Sequence, residues 1–174
     1  MSMDWTVRRV GIEAADGLAL IGSATFLETF ADAVDTRSMV AHCMKEHCAS
    51  TYRRYLDHPQ TAAWLAETAT GNGPIGYALL CGGDLPILKS GDIELKRIYA
   101  FSRFHGTGVG DRLFACALHH AAAVGAKRLV LSVYAGNERA IAFYRKQGFN
   151  RIATLGFKVN DHEYENFALA KALE

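Results

Sequence analysis

The sequence predicts a mixed α/β fold in which one sheet of seven strands carries helices packed against it. Seven short runs rich in β-branched and aromatic residues recur along the chain, each bounded by Gly, Asp or Asn. Helical patterns lie between them. A central strand, helix, strand unit has a glycine cluster before its helix, the layout of a right-handed parallel crossover.

The elements follow in order. A first strand is read over residues 6–10, then a helix over about 15–33 with Leu20, Phe26, Leu27 and Phe30 among its apolar positions, and a second helix over 37–56. Strands at 62–67, 75–80 and 93–100 lead to a helix that starts near Val109 and runs to Val124, closed by Gly125. A strand at 128–134 precedes a helix that opens at Asn137 and closes at Gly148. Asn is a natural cap there, because its side-chain oxygen accepts an unpaired first-turn N–H. Strands at 151–159 and 164–170 complete the sheet.

Composition narrows the function. Of 174 residues, 50% are hydrophobic and 21% charged, enough apolar material for a sizeable core and the opposite of a disordered chain. No repeat or composition break divides it, so residues 1–174 are read as one domain. A net charge of +1 gives no global field for nucleic acid or anionic lipid, so any anion site must be local. No apolar run approaches the ~18 residues of a membrane span. The start, Met1-Ser2-Met3-Asp4-Trp5, has neither the basic nor the apolar region of a secretory signal, and a cytoplasmic location is expected. Cys43, Cys48, Cys81 and Cys116 are too irregularly spaced for a disulfide framework and are read as reduced.

The loop His105-Gly106-Thr107-Gly108-Val109-Gly110 follows a strand and opens a helix. Glycines there let backbone N–H groups approach an anion that the helix dipole also favours, which predicts a phosphate cradle. A Walker loop would place Lys and then Ser or Thr after its last glycine, where this chain has Asp111 and Arg112. A dinucleotide fingerprint needs Gly-x-Gly-x-x-Gly, and the spacing here is Gly-x-Gly-x-Gly. Arg103 and Arg112 flank the loop, where they either add charge near a phosphate or remain solvated. Downstream, Ala140, Phe143 and Tyr144 share one face of the helix opened by Asn137. Read alone, that segment is satisfied by two core aromatics and a capping Asn.

Taken together, the two segments resemble the GNAT superfamily of acyl-CoA-dependent N-acetyltransferases. That family carries (Gln/Arg)-x-x-Gly-x-(Gly/Ala) in its loop and Asn-x-x-Ala-x-x-Phe-Tyr, then Gly-Phe, in a later helix. In the register that matches Gly108 and Gly110, His105 stands where the family usually has Gln or Arg. The alternative register, Arg103-x-x-Gly106-x-Gly108, starts the helix too late. Ile93 to Tyr99 and Phe26-x-Glu28-Thr29-Phe30-Ala31 look like the branch containing spermidine/spermine-type acetyltransferases. The resemblance implies a mostly antiparallel seven-stranded sheet with a central parallel β-α-β unit for acetyl-CoA. It implies that the backbone from His105 through Gly106, Thr107, Gly108 and Val109 to Gly110 takes the diphosphate, and that Asn137 bonds the pantetheine amides. A dimer is common among similar proteins.

In the strand before the loop, apolar parity runs through Ile93 and Leu95, then changes to Ile98 and Ala100 after Lys96 and Arg97, a slip that a bulge would produce. In the family a bulged strand splays from its parallel neighbour and the pantetheine arm fills the gap. The backbone of Ile98, Tyr99 and Ala100 would then lie along the cofactor, with an N–H polarising the thioester carbonyl. Tyr144 is the candidate general acid, because a phenol with reference pKa ~10 is reasonably matched to an alkyl thiolate leaving group. Glu94, just ahead of the bulge, is the candidate base that removes a proton from the arriving ammonium; its alternative is a solvent-facing edge Glu.

The activity expected is acetyl transfer to a primary amine, a small amine or polyamine, by direct attack in a ternary complex. The alternatives are a protein N-terminal or lysine acetyltransferase and a non-catalytic CoA-binding regulator. Acceptor choice is expected to depend on the first two helices and residues 159–166, with Glu28, Asp32 and Asp161 available to meet a cation. His42-Cys43-x-x-x-His47-Cys48 puts His and Cys on adjacent turns of the second helix, a conceivable soft-metal pair, but no partner pair is apparent and no metal is assigned.

Overall fold

The computed structural model describes residues 4–173; Met1-Ser2-Met3, part of the start read as lacking a secretory signal, lies outside them. The strands are β1 (Trp5–Val10), β2 (Ala62–Thr68), β3 (Pro74–Cys81), β4 (Asp92–Ala100), β5 (Arg128–Tyr134), β6 (Asn150–Val159) and β7 (His162–Ala172). The helices are α1 (Ala15–Phe30), α2 (Thr36–Glu46), α3 (Ala49–Leu56), α4 (Val109–Ala123) and α5 (Glu138–Lys146). The sheet runs β1-β2-β3-β4-β5-β7-β6, and every neighbouring pair is antiparallel except β4 and β5. This is the mixed, mostly antiparallel architecture expected, with α4 as the crossover of its parallel unit. No helix among the described residues is long and apolar enough to cross a membrane.

Both faces of the sheet are covered. On one face Val109, Leu113, Phe114, Ala117 and Ala121 of α4 recur at helical spacing and pack on Leu129, Leu131 and Val133 of β5 and on Ile75 and Leu80 of β3. On the other, Leu18 and Ile21 of α1 with Tyr52 of α3 pack on Leu65, Tyr77 and Leu79. Strands covered on both sides read as near-continuous apolar runs, which is why β3 is buried from Ile75 to Cys81.

Two departures from the sequence reading occur in the N-terminal helices. The first helix ends at Phe30 rather than near residue 33, with the amides of Ala33 and Val34 both turning back to the Phe30 carbonyl. The single helix expected over 37–56 is two. Cys48 is extended at φ −90° and ψ 157°, and Thr51 Oγ1 donates to the Lys45 carbonyl at 2.7 Å. Ser and Thr side chains that compete for backbone groups favour such a break over a continuous helix. His47 and Cys48 therefore do not lie on adjacent turns of one helix with His42 and Cys43. His47 instead turns inward, 4% exposed, with Nδ1 3.0 Å from the Tyr52 hydroxyl.

Candidate active site

The site begins where β4 and β5 part. Their parallel pairing runs from Asp92↔Arg128 to Glu94↔Val130 and stops, while β5 stays paired with β7 as far as Tyr134↔Asn166. On its other side β4 slips against β3: Leu79 faces Arg97 and Leu80 faces Leu95, leaving Lys96 as the extra residue. This is the bulge anticipated from the parity change, and a bulge bends its strand. The base of the wedge is tied by Arg128, which donates to both Asp92 carboxylate oxygens at 2.9 and 2.6 Å. A cavity of about 1170 Å³ opens from the wedge, extending between α1, α2, the glycine loop and α5.

At one end stands the glycine loop. Gly108 caps α4 at φ +91° and Gly106 is at φ +80°, backbone that favours glycine and that sets the turn into the helix at Val109. The helix thus starts at Val109, ahead of Gly110. The loop's own bonds take the amides of His105, to Ser102 O at 3.0 Å, and Thr107, to Phe104 O at 3.3 Å. The amides of Gly106, Gly108, Val109 and Gly110 have no protein partner among the described residues. Four free donors at the positive end of a fifteen-residue helix fit a diphosphate.

The individual loop residues divide. His105, Gly106, Gly108 and Gly110 line the cavity; Thr107 and Val109 do not. Thr107 Oγ1 is spent on Phe104 O at 2.7 Å, and the Val109 side chain is 1% exposed in the core, so either can serve an anion only through its backbone. His105 Nε2 lies 2.9 Å from the Ala100 carbonyl, an intramolecular partner for the side chain that replaces Gln or Arg. Arg103 lies over the Phe104 ring, 5.0 Å from its centre, and neither it nor Arg112 lines the cavity.

Across the wedge, Ile98, Tyr99 and Ala100 of β4 share the cavity wall with Asn137 and Tyr144. Asn137 Oδ1 accepts from the Ala140 amide at 3.1 Å, the cap expected of it, while its residue still faces the cavity. Tyr144 is 8% exposed, its ring packed edge-on to Phe143 at 5.5 Å and Phe149 at 5.6 Å. Burial pushes its phenol well above the ordinary value, with Tyr99 adding to the effect. Such a group is protonated at neutral pH.

Glu94 is the second titratable group at the wedge. It is 3% exposed, not the solvent-facing edge residue that was its alternative, because β4 is central and covered on both faces. Its Oε2 accepts from the Asp84 amide at 3.2 Å and its Oε1 is 3.5 Å from Lys96 Nζ. Burial raises its pKa, and Lys96 and the Asp84 amide limit the rise. Gly83 at φ +83° makes room: a Cβ there would meet Glu94 Oε2 at 2.7 Å. Lys96 in turn pairs with Asp84 at 2.6 Å, and although burial acts to lower it, Glu94 and Asp84 hold the ammonium above its ordinary value.

The first two helices were expected to bear on the acceptor, but sequence reasoning did not reach the aromatic and imidazole wall that α1 and α2 contribute through Phe26, His42 and His47. His42 stacks on Phe26 at 4.2 Å, and burial lowers its pKa. Burial lowers that of His47 to about 2, with Arg97 and His42 contributing. Both imidazoles are neutral at pH 7. Glu28 lines the cavity, but its carboxylate accepts from the Ser102 amide and hydroxyl, both at 2.9 Å, which ties α1 to the turn before the glycine loop. Asp32 and Asp161 are exposed and outside the wall. No signal in the sequence distinguishes Glu28 from those two; the separation comes from which helix face meets the sheet.

This arrangement has named counterparts. Residues 27–149 match the acetyltransferase (GNAT) family. The chain is 32% identical over 160 residues to an uncharacterized N-acetyltransferase of Mycobacterium tuberculosis, covering 91% of this chain and 97% of that protein. A mycothiol acetyltransferase of Corynebacterium glutamicum is 43% identical over 65 residues, 36% of this chain and 22% of that protein. Among solved structures, the PaiA N-acetyltransferase of Thermoplasma acidophilum, in complex with coenzyme A, superposes with a TM-score of 0.80 at 18% identity, covering 98% of this chain and 100% of that one. The wedge between β4 and β5, the glycine turn at the head of α4 and this similarity together mean that the chain belongs to the GNAT family and is an N-acetyltransferase.

Proposed function

We propose that the protein, as one N-acetyltransferase domain, transfers the acetyl group of acetyl-CoA to the primary amine of a small molecule by direct attack within a ternary complex. The observation that carries this reading is the set of unpartnered loop amides opening onto the same cavity as Glu94 and Tyr144. The amides of Gly106, Gly108, Val109 and Gly110 hold the diphosphate, and Asn137 and the β4 backbone at Ile98, Tyr99 and Ala100 hold the pantetheine arm in the wedge.

The residues then divide the proton traffic. An amine arrives largely as ammonium, and Glu94 takes its proton, the buried carboxylate being a stronger base than an exposed one. The freed nitrogen forms its bond to the acetyl carbon, the carbon–sulfur bond breaks, and Tyr144 gives its proton to the departing thiolate. A β4 backbone N–H near Ile98 supports the carbonyl oxygen as charge grows on it. Glu28, Glu46, Asp84, Glu94 and Asp111 in the wall are matched by Lys45, Lys96, Arg97, Arg139 and Lys158. A charge-balanced wall does not select a polycation, which favours a small amine over a polyamine or a lysine-rich protein tail.

The test is acetyl-CoA turnover with release of free thiol as the readout, across monoamines, polyamines, aminoglycosides and peptides. Turnover concentrated on small monoamines is expected. Turnover confined to peptides would overturn the acceptor assignment, and tight coenzyme A binding with no turnover on any amine would make the protein a cofactor-binding regulator.

A further inference from the structure

The acceptor side of the cavity is walled by rings that separate elements bring together. Phe26 and Phe30 come from α1, His42 from α2, His47 from the turn after it, Tyr134 from the end of β5 and Phe157 from β6, and all six line the cavity. His42 lies nearly flat on Phe26, with ring centres 4.2 Å apart and planes at 21°, and meets Phe157 edge-on at 5.9 Å. Phe30 meets Tyr134 edge-on at 5.9 Å. Phe26 and His47, each 4% exposed, form the backing. His42, Tyr134 and Phe157 are half-buried members of the same wall, which leaves ring surface for a ligand.

The β6–β7 hairpin holds the wall in place. Val159 packs with Phe26, Phe30 and Met39, and Phe157, two residues before it on β6, takes the same face. The Tyr164 hydroxyl donates to the Ala33 carbonyl at 3.0 Å, and His162 Nε2 lies 3.4 Å from Asp35 Oδ2, which ties the hairpin to the turn between α1 and α2. Tyr99 packs on the same cluster, so the rings stand one side chain away from the β4 backbone that supports the thioester.

The chemistry of this wall is aromatic and uncharged. Burial keeps the imidazoles of His42 and His47 neutral at pH 7. The carboxylates that α1 and α2 bring to the cavity are engaged, Glu28 by the Ser102 amide and hydroxyl and Glu46 by Arg97 at 3.6 Å. A second ammonium, as in a polyamine, would have to displace one of these partners. An aromatic ring finds faces and edges to pack on.

We propose that this wall seats an aromatic ring of the acceptor, so that the preferred substrate is a primary amine joined to an aryl group by a short alkyl tether. The inference rests on the acetyltransfer reading above and names its acceptor class.

The experiment measures kcat/KM for 2-phenylethylamine, 2-cyclohexylethylamine and n-butylamine, with free thiol as the readout. The phenyl amine is expected to exceed n-butylamine by about ten-fold or more. It should exceed the cyclohexyl amine, similar in size but without π faces, by about three-fold or more, the worth of an aromatic pair beyond its buried area. Phe157→Leu keeps an apolar side chain and should lower the phenyl-to-cyclohexyl ratio at least two-fold, with the acetyl-CoA KM within two-fold of wild type. A wild-type ratio near one overturns the inference, as does a ratio unmoved in Phe157→Leu; if that variant fails to fold, the wild-type series decides alone. Equal turnover on all three amines removes the aromatic seat and leaves the small-amine reading standing, whereas a wild type that acetylates none of them overturns that reading itself.

Discussion

Removing one oxygen from Tyr144 separates catalysis from folding. The hydroxyl has no hydrogen-bond partner among the described residues, and the ring keeps its contacts with Phe143 and Phe149 when the oxygen is deleted. Tyr144→Phe therefore strands no buried group, and its stability should stay within about 1 kcal/mol of wild type. Truncation to Ala would instead cost ~3–5 kcal/mol by emptying a core position. Loss of a general acid lowers turnover by about 10²–10⁴, roughly 3–5 kcal/mol on the barrier. Free-thiol release gives kcat, calorimetry gives the coenzyme A affinity, and a thermal melt gives stability. The expected result is a loss of kcat of at least a hundredfold, with affinity and melting temperature unchanged. Because burial keeps the phenol protonated, wild-type activity should also show no alkaline decline from Tyr144 up to about pH 9. A Phe variant within three-fold of wild-type kcat would refute the proton-donor role, and one that loses activity only as it unfolds would show the oxygen to be structural.

Glu94→Gln should lower kcat/KM by about 10²–10⁴ and abolish the acidic limb of the pH profile, which in the wild type falls as pH drops through the raised carboxyl pKa; an unchanged limb would assign it to another group. Gly108→Ala forces a side chain into positive φ with no atom nearer than Trp5 at 3.9 Å, so it should cost about 1–2 kcal/mol, while Gly110→Ala, in the first turn of α4 with open space around it, should stabilise by ~0.5–1 kcal/mol; paired melts check both signs. His47 is held neutral down to about pH 2, so its stabilisation is complete above the unfolded value of 6.5 and drains as pH falls below it, by roughly 1.4 kcal/mol per unit. Urea midpoints from about pH 7 to 4.5 should show that slope, and His47→Gln should flatten it.

The cradle and the wedge were legible because each is written locally. Positive φ at Gly106 and Gly108 admits glycine most easily, a bulge shows as a slip from Leu95 to Ile98 in the alternation, and an Asn cap precedes its helix by one residue. Strand bounds were accurate to within two residues for the same reason, as with β5 at Arg128–Tyr134. The break at His47 was hidden because the apolar spacing of 37–56 runs on through it, and only the Thr51 hydroxyl bond to Lys45 decides the matter. Glu94 was ambiguous between buried base and exposed edge because a strand's parity says which face a residue takes, not whether that face is covered.

Coverage is a long-range property, and it is what turns this sheet into a site. Glu94 is buried because β4 is fourth of seven strands, with α4 on one face and α1 on the other. Ser132 and Asn166 meet because β7 inserts between β5 and β6, thirty-four residues downstream of its partner. Neither residue has a local signature, and a lone Ser in an apolar strand reads as tolerated polarity. The cofactor side of a transferase must match one fixed shape and can be encoded in a contiguous loop. The acceptor side is assembled from side chains on strands and helices far apart in sequence, so single substitutions such as those at Phe157 and His42 should change the preferred amine while leaving the cradle intact. Acceptor competition assays on such variants, with coenzyme A affinity as the internal control, would fail to separate the two sides if that division were wrong.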